Sequence, residues 1–152
     1  MDGLESCKAE PGRMEILEGR DCIIINDAYN ANPESMEKGI STFENIEFDG
    51  EKIAILGDML ELGESEIEKH RKIAPQLQSC PSINKFILVG NLAKHIADNF
   101  SSANLENTIS CDDAALAKKE LEQMKLEKCL LYFKASNSIG LNNIAAQIYR
   151  EV

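Results

Sequence analysis

Cys22-Ile-Ile-Ile-Asn26, running into Asp27-Ala-Tyr-Asn-Ala-Asn-Pro33 and then into Met36, Ile40 and Phe43 at helical spacing, is the stretch that decides the fold. A continuous apolar run of strand length indicates a strand buried on both faces, the habit of parallel sheets. Asn32-Pro33 supplies a helix cap followed by a first-turn proline. The stretch therefore reads as one βα unit with a polar loop between its two elements.

The unit recurs outward along the chain. Apolar runs of the same kind cover residues 52–57, 85–90 and 128–133, a weaker strand covers 107–111, and residues 13–18 read as an edge strand. Between them lie amphipathic sets at helical spacing: Ile67, Ile73 and Leu77; Leu92 and Ile96; Ala114, Ala117, Leu121 and Met124; Leu141, Ile144, Ala145 and Ile148. Ser65 with Glu68 predicts a capping box, Asn91 predicts a cap for the helix after the third run, and Asp112-Asp113 reads as a helix start. Pro75 falls inside a helical pattern and is expected to kink or split it. Repeated βα units force parallel strands with helices on both faces, so the fold class is α/β: a Rossmann-like, doubly wound, mostly parallel sheet.

Length and composition agree with a single domain. The chain has 152 residues, 43% hydrophobic and 28% charged, enough for one core. Residues 1–11 read as an incoming linker and 12–152 as the domain proper. A net charge of −10 repels a phosphate backbone, which excludes a general nucleic-acid binder. No apolar run approaches the ~20 residues of a membrane span, and the N-terminus lacks a basic segment followed by an apolar one. Five cysteines, odd in number and without a Cys-x-x-Cys pair, read as reduced thiols in a cytosolic protein.

In open parallel sheets ligands bind beyond the carboxyl ends of the strands. Four loops fall on that edge: residues 27–33, Asp58-Met-Leu-Glu-Leu-Gly63, Asn91, and Lys134-Ala-Ser-Asn-Ser-Ile-Gly140. The first packs an acid, a phenol and two carboxamides into seven positions, more donors and acceptors than a turn needs. The last sets an ammonium beside hydroxyl and amide groups, suited to a carboxylate or phosphate. His70 reads as a solvated or locally hydrogen-bonded residue on the polar side of a charged helix, and His95 as blander still; neither has partners at metal-ligand spacing, so no bound metal is expected. The chain contains no Gly-x-x-x-x-Gly-Lys-Ser/Thr phosphate cradle.

In order, Gly12-Arg13-Met14, Asp27 to Pro33 with the following Glu-Ser-Met36, the Gly57 to Glu64 loop with His70 beyond it, and Lys134 to Leu141 resemble the C-terminal domain of Mur ligases. The resemblance covers about residues 12–150, and within the family it is to the branch that joins D-alanyl-D-alanine to UDP-N-acetylmuramoyl-tripeptide in peptidoglycan synthesis. It implies two further domains, an N-terminal one for the UDP sugar and a central one carrying the P-loop and the magnesium ligands, so that ATP and magnesium are held mainly outside this chain. It also implies roles for individual residues: Arg13, Asp27, Tyr29, Asn30 and Asn32 on the nucleotide, with Asp27 accepting from the ribose hydroxyls; and Lys134, Ser136, Asn137, Asp58 and Glu61 around D-alanyl-D-alanine, the two acids meeting its ammonium. Ala135 and Asn137 depart from the family's usual Lys-Gly-Ser-Arg. No covalent catalytic residue is implied. On this reading Asp27 and Lys134 stand at opposite ends of the site.

Two other readings share the same residues. A signalling receiver domain also places acids after early strands and a lysine after the last, as Asp27, Asp58 and Lys134 do here, although receivers usually carry two adjacent acids and a proline after the lysine. A non-catalytic nucleotide- or peptide-binding module is the other.

Overall fold

The apolar runs become the middle of a six-stranded sheet. A computed structural model of the chain describes residues 10–152, so most of the expected linker, and Cys7 with it, lies outside the described residues. The elements are β1 (Glu15–Glu18), β2 (Cys22–Asn26), α1 (Pro33–Asn45), β3 (Glu51–Gly57), α2 (Glu66–Arg71), α3 (Ala74–Gln78), β4 (Lys85–Val89), α4 (Ser102–Glu106), β5 (Thr108–Cys111), α5 (Ala114–Gln123), β6 (Cys129–Lys134) and α6 (Leu141–Glu151). Short 3₁₀ segments cover Gly63–Ser65, Ala93–Asn99 and Asn137–Ile139. The strand order is β1-β2-β6-β3-β4-β5. β1 is antiparallel to β2 at one edge; all other pairs are parallel.

Side chains alternate between two cores, as the pleat requires. Ile25, Leu130 and Tyr132 face α1, where Met36, Ile40 and Phe43 are fully buried. Ile24, Leu131 and Phe133 face the opposite way, against Ala117 and Leu121 of α5 and Leu141, Ile144, Ala145 and Ile148 of α6. Helices thus cover both faces of the sheet, the doubly wound arrangement expected from the βα pattern.

Local signals held or failed for identifiable reasons. Asn32 caps α1 through a box completed by Ser35, and Asp113 caps α5 by accepting from Leu116 N–H. Pro75 splits its helix: α2 ends at Arg71 and α3 begins at Ala74, leaving the proline in a first turn where its missing N–H costs nothing. The Ser65 box does not form, because the preceding 3₁₀ turn already carries Ser65 at φ −96°, ψ 20°, and its hydroxyl makes no cap bond. Ile67 is consequently exposed instead of joining Ile73 and Leu77 in the core. Asn91 does not cap either; the segment after β4 is 3₁₀, and Asp58 supplies its N-terminal acceptor from another loop.

Lys52, inside the second apolar run, is also buried. Its ammonium donates to the carbonyls of Phe43 (2.6 Å), Glu44 (3.1 Å) and Ile46 (2.9 Å) and to Ser82 Oγ (2.9 Å), closing the C-terminus of α1 from below. Cys22, Cys80, Cys111 and Cys129 are buried free thiols. Burial pushes Cys80 and Cys111 up to about 11 and Cys129 up to about 12, so at neutral pH they pack as small apolar groups. No helix among the described residues is long and apolar enough to cross a membrane.

Candidate functional site

β6 is last in sequence but central in space, and this brings the polar loops together. Asn26 of β2 is level with Phe133, and Leu56 of β3 is level with Lys134. The ladders continue past the strands: Asp27 N–H donates to Phe133 O (2.8 Å) and Ser136 N–H to Asp58 O (2.9 Å). The loops after β2, β3 and β6 therefore leave the sheet side by side. Ser136 Oγ ties them further, accepting from Leu60 N–H at 2.9 Å with Ala31 O at 3.5 Å on the other side. Ala135 packs beneath, and only a glycine at position 57 fits there, since a Cβ would lie 2.7 Å from that of Ala135.

Two adjoining cavities open on this edge, divided by Tyr29 and Asn30, which line both. One, of about 280 Å³, is lined by Gly12, Arg13, Met14, Asp27, Asn32, Ser35 and Lys134. The other, of about 260 Å³, is lined by Leu60, Glu61, Ser136, Asn137 and Ser138. The residues expected on the nucleotide, Arg13, Asp27, Tyr29, Asn30 and Asn32, thus share one cavity, and Glu61, Ser136 and Asn137 share its neighbour.

Lys134 and Asp58 are placed otherwise than the sequence suggested. Lys134 is not at the far end from Asp27: its ammonium, almost wholly buried, sits 3.0 Å from Asp27 Oδ2 and 3.1 Å from Asn30 O in the first cavity. A lysine rising from a strand buried on both faces needs a partner at once, and the adjacent parallel strand offers Asp27. Asp58 lines neither cavity. Its Oδ1 accepts from Leu92 N–H (3.0 Å) and Ala93 N–H (2.7 Å), a cap for the 3₁₀ segment, and Gly90 at φ +112° leaves the only room for it. A carboxylate so enclosed is equally ill-placed to accept a phosphoryl group, which removes the residue on which the receiver reading depended.

Asp27 is held from three sides. Met14 N–H donates to Oδ1 (3.1 Å), and Tyr132 Oη (2.7 Å) joins Lys134 on Oδ2. Burial first, then the Asp27 charge, raises the Tyr132 phenol well above its ordinary value, so it serves as a donor. Arg13 lies with its guanidinium carbon 4.4 Å from the Tyr29 ring centroid, a cation–π contact that folds it over the cavity mouth. Beneath, Asn26 bonds Asn142 (2.6 Å) and Glu15 (3.3 Å), and Glu15 accepts from Gly12 N–H (3.1 Å), which pins the Gly12-Arg13 turn to the sheet. Tyr132 and Asn26 were missed as site residues because both sit in apolar runs and read as core; a polar group at the carboxyl end of such a run was the available signal.

His70 is fully buried, contrary to the solvated alternative. Its Nδ1 lies 2.6 Å from Glu66 O, the local bond expected, while Nε2 accepts from Met59 N–H at 2.9 Å. This assigns the proton to Nδ1 and makes the ring a strut between α2 and the 58–63 loop. His70→Ala is expected to cost ~2–3 kcal/mol by orphaning a buried N–H and opening a cavity, read as a lower urea midpoint. His95 pairs at 2.9 Å with Asp98, part of a surface cluster with Arg71. Among the described residues no three His, Cys, Asp or Glu side chains converge where they could hold a metal ion.

Comparison with known proteins bears on the same residues. The stretch 12–136 matches the family described as Mur ligase, glutamate ligase domain. The UDP-N-acetylmuramoyl-tripeptide--D-alanyl-D-alanine ligase of Bacillus subtilis (strain 168) is 33% identical over 151 residues, covering 96% of this chain and 32% of that protein. The crystal structure of MurF ligase from Thermotoga maritima in complex with ADP has a TM-score of 0.73 at 26% identity, over 96% of this chain and 32% of that one. MurF from Acinetobacter baumannii shares the fold, with a TM-score of 0.82 at 23% identity over 98% of this chain and 33% of its own. The chain spans about a third of the length of the curated relatives it matches. With the match running from the Gly12 turn to Ser136, over most of the chain, this chain belongs to the family described as Mur ligase, glutamate ligase domain.

Proposed function

We propose that this chain is the C-terminal domain of an ATP-dependent ligase that joins D-alanyl-D-alanine to UDP-N-acetylmuramoyl-tripeptide in peptidoglycan synthesis. The observation that carries the reading is the pair of adjoining cavities split by Tyr29 and Asn30, one built around Asp27 and Arg13, the other around Glu61 and Asn137. The first suits a ribose and phosphate oxygens, through a carboxylate acceptor and a guanidinium fork. The second suits a small zwitterion, with Glu61 toward the ammonium and the Ser136–Ser138 segment toward the carboxylate. Asn137 stands where a cation is usual in the family, so the carboxylate is met by amide and hydroxyl donors.

In the reaction so proposed, ATP phosphorylates the peptide carboxylate, the dipeptide amine attacks the acyl phosphate, and phosphate leaves from the tetrahedral intermediate. This domain contributes orientation and charge, with no covalent nucleophile. The P-loop and magnesium ligands belong to a central domain, the UDP-sugar site to an N-terminal one, and closure of the three gates the step in the cytoplasm.

The test is steady-state phosphate release by the full-length protein, with each substrate varied in turn. Arg13→Ala is expected to raise the ATP KM roughly tenfold and leave the dipeptide KM unchanged, while Asn137→Arg, by adding a cation, lowers the dipeptide KM and leaves that for ATP alone. Equal effects of each variant on both substrates would mean that the two cavities do not divide the substrates between them. This chain by itself is expected to give no turnover.

A further inference from the structure

Cys22 and Cys129 open neighbouring strands, level with one another. Each is the first residue of its strand, β2 or β6, and the parallel ladder pairs the two directly. Both side chains turn into the core beneath α5 and α6, and both are almost wholly buried. Neighbouring strands lie ~4.8 Å apart, inside the ~4.4–6.8 Å between Cα atoms that a disulfide spans. Burial first, then the adjacent Cys22, pushes the Cys129 thiol up to about 12, so at rest it is protonated. The site at the other end of these strands, where Asp27 and Lys134 meet, uses neither sulfur.

The pair lies close to an entry from solvent. Cys22 Sγ donates to Leu126 O (3.2 Å) and Cys129 Sγ to Glu127 O (3.4 Å). Leu126 and Glu127, with Arg20 and Asp21 just before Cys22, line a cavity of about 520 Å³ at the amino end of the sheet. Both cysteines also follow bends, at residues 20–21 and 127–128, so their backbone can yield as the sulfurs close in a way that mid-strand residues could not. We propose that Cys22 and Cys129 are a modification site, which an oxidant of the hydroperoxide class converts to an intramolecular disulfide that staples β2 to β6. The thiolate of one attacks the peroxide and breaks its O–O bond; the displaced hydroxide takes up the thiol proton and leaves as water. The second sulfur then displaces the hydroxyl of the resulting sulfenic acid, and its own proton leaves with that hydroxyl as a second water. Each sulfur gives up one electron, and the peroxide takes both. The bond closes a loop of about 100 residues, the length at which such a link most restricts the unfolded chain.

The experiment treats the full-length protein with hydrogen peroxide or with dithiothreitol, alkylates free thiols during unfolding, digests without reduction and maps linked peptides by mass spectrometry. The Cys22–Cys129 link is expected to dominate among the disulfides of these cysteines in the natively oxidised sample and to be absent with dithiothreitol. Oxidation in urea is expected to scatter the linkages. Hydrogen exchange in peptides covering 22–26 and 129–134 is expected to slow roughly tenfold or more on oxidation and to recover on reduction. Cys129→Ser removes the resolving sulfur, so dimedone is expected to trap a sulfenic acid on Cys22 in place of the link; if that variant folds poorly, the map of the unsubstituted protein decides alone. Native oxidation that leaves both residues as alkylatable thiols, or that gives the same scatter as urea, overturns the site. A link that forms without slowing exchange in either strand overturns the staple.

Discussion

Lys52→Ala is expected to lower the unfolding free energy by ~3–5 kcal/mol, a drop in thermal midpoint on the order of 10 °C for a domain of this size. The ammonium serves three carbonyls at the end of α1 and the hydroxyl of Ser82, all from within the core. Those carbonyls are the ones a helix leaves unpaired, and the negative end of its dipole is where a cation is best placed. Removing the group leaves buried acceptors without a donor, the costly half of the hydrogen-bond asymmetry. Lys52→Met separates this from packing: methionine keeps most of the aliphatic volume but loses both the donor and the ammonium that lies 4.9 Å from the Phe43 ring centroid, so recovery of only ~1 kcal/mol over the alanine variant is expected in urea unfolding. A methionine variant as stable as the unsubstituted chain would show that water reaches the helix end and the ammonium is dispensable.

Asp27→Ala comes next in size, and its effect depends on the residue across from it. Lys134 is left with only the carbonyls of Asp27 and Asn30 around a nearly solvent-free ammonium. Stranding such a charge costs ~3–5 kcal/mol, while removing both partners costs less, since no unpaired charge remains. A double-mutant cycle with Lys134→Met is therefore expected to give a coupling of ~2 kcal/mol or more, the double variant being more stable than Asp27→Ala by itself. The pairing also alters the kinetic expectation that follows from the sequence. Because Lys134 holds Asp27 and shares its cavity, its replacement is expected to raise the ATP KM along with that of Asp27→Ala, instead of acting on the dipeptide. A coupling below ~0.5 kcal/mol would show the two side chains to be independent.

The sheet was legible because period and length reinforce one another in residues 22–26, 52–57, 85–90 and 128–133, and these are strands to within a residue or so. The one-edge clustering of the polar loops followed from the parallel topology without further information. What pattern could not supply was the neighbour relation across the sheet. Lys134 was set apart from Asp27 because the resemblance gave their loops to different substrates, and only the insertion of β6 between β2 and β3 makes them partners. Asp58 looked like a ligand because it follows a strand, but its use as a cap for another loop is a tertiary fact with no local mark. His70 and Lys52 illustrate the converse limit: both are polar, both are buried, and each is tolerated only because a specific set of backbone groups from elsewhere in the chain meets it. The caps expected at Ser65 and Asn91 do not form because the backbone at those points is committed to 3₁₀ geometry.

The position of β6 has a consequence for how the molecule is made. On a ribosome the chain emerges from the N-terminus, so β1 and β2 can pair early, and β3 with β4 and β5 later, but the two groups share no ladder until residues 129–134 arrive between them. Nearly six-sevenths of the chain must therefore leave the tunnel before one continuous sheet exists, and long-range closure of this kind is slow and exposes unpaired strand edges while it waits. Both cavities depend on the same last strand. A nascent or proteolysed chain ending before Cys129 would thus display two open-edged half-sheets and no ligand site, a species that chaperones and proteases can tell from the finished domain by its edges alone.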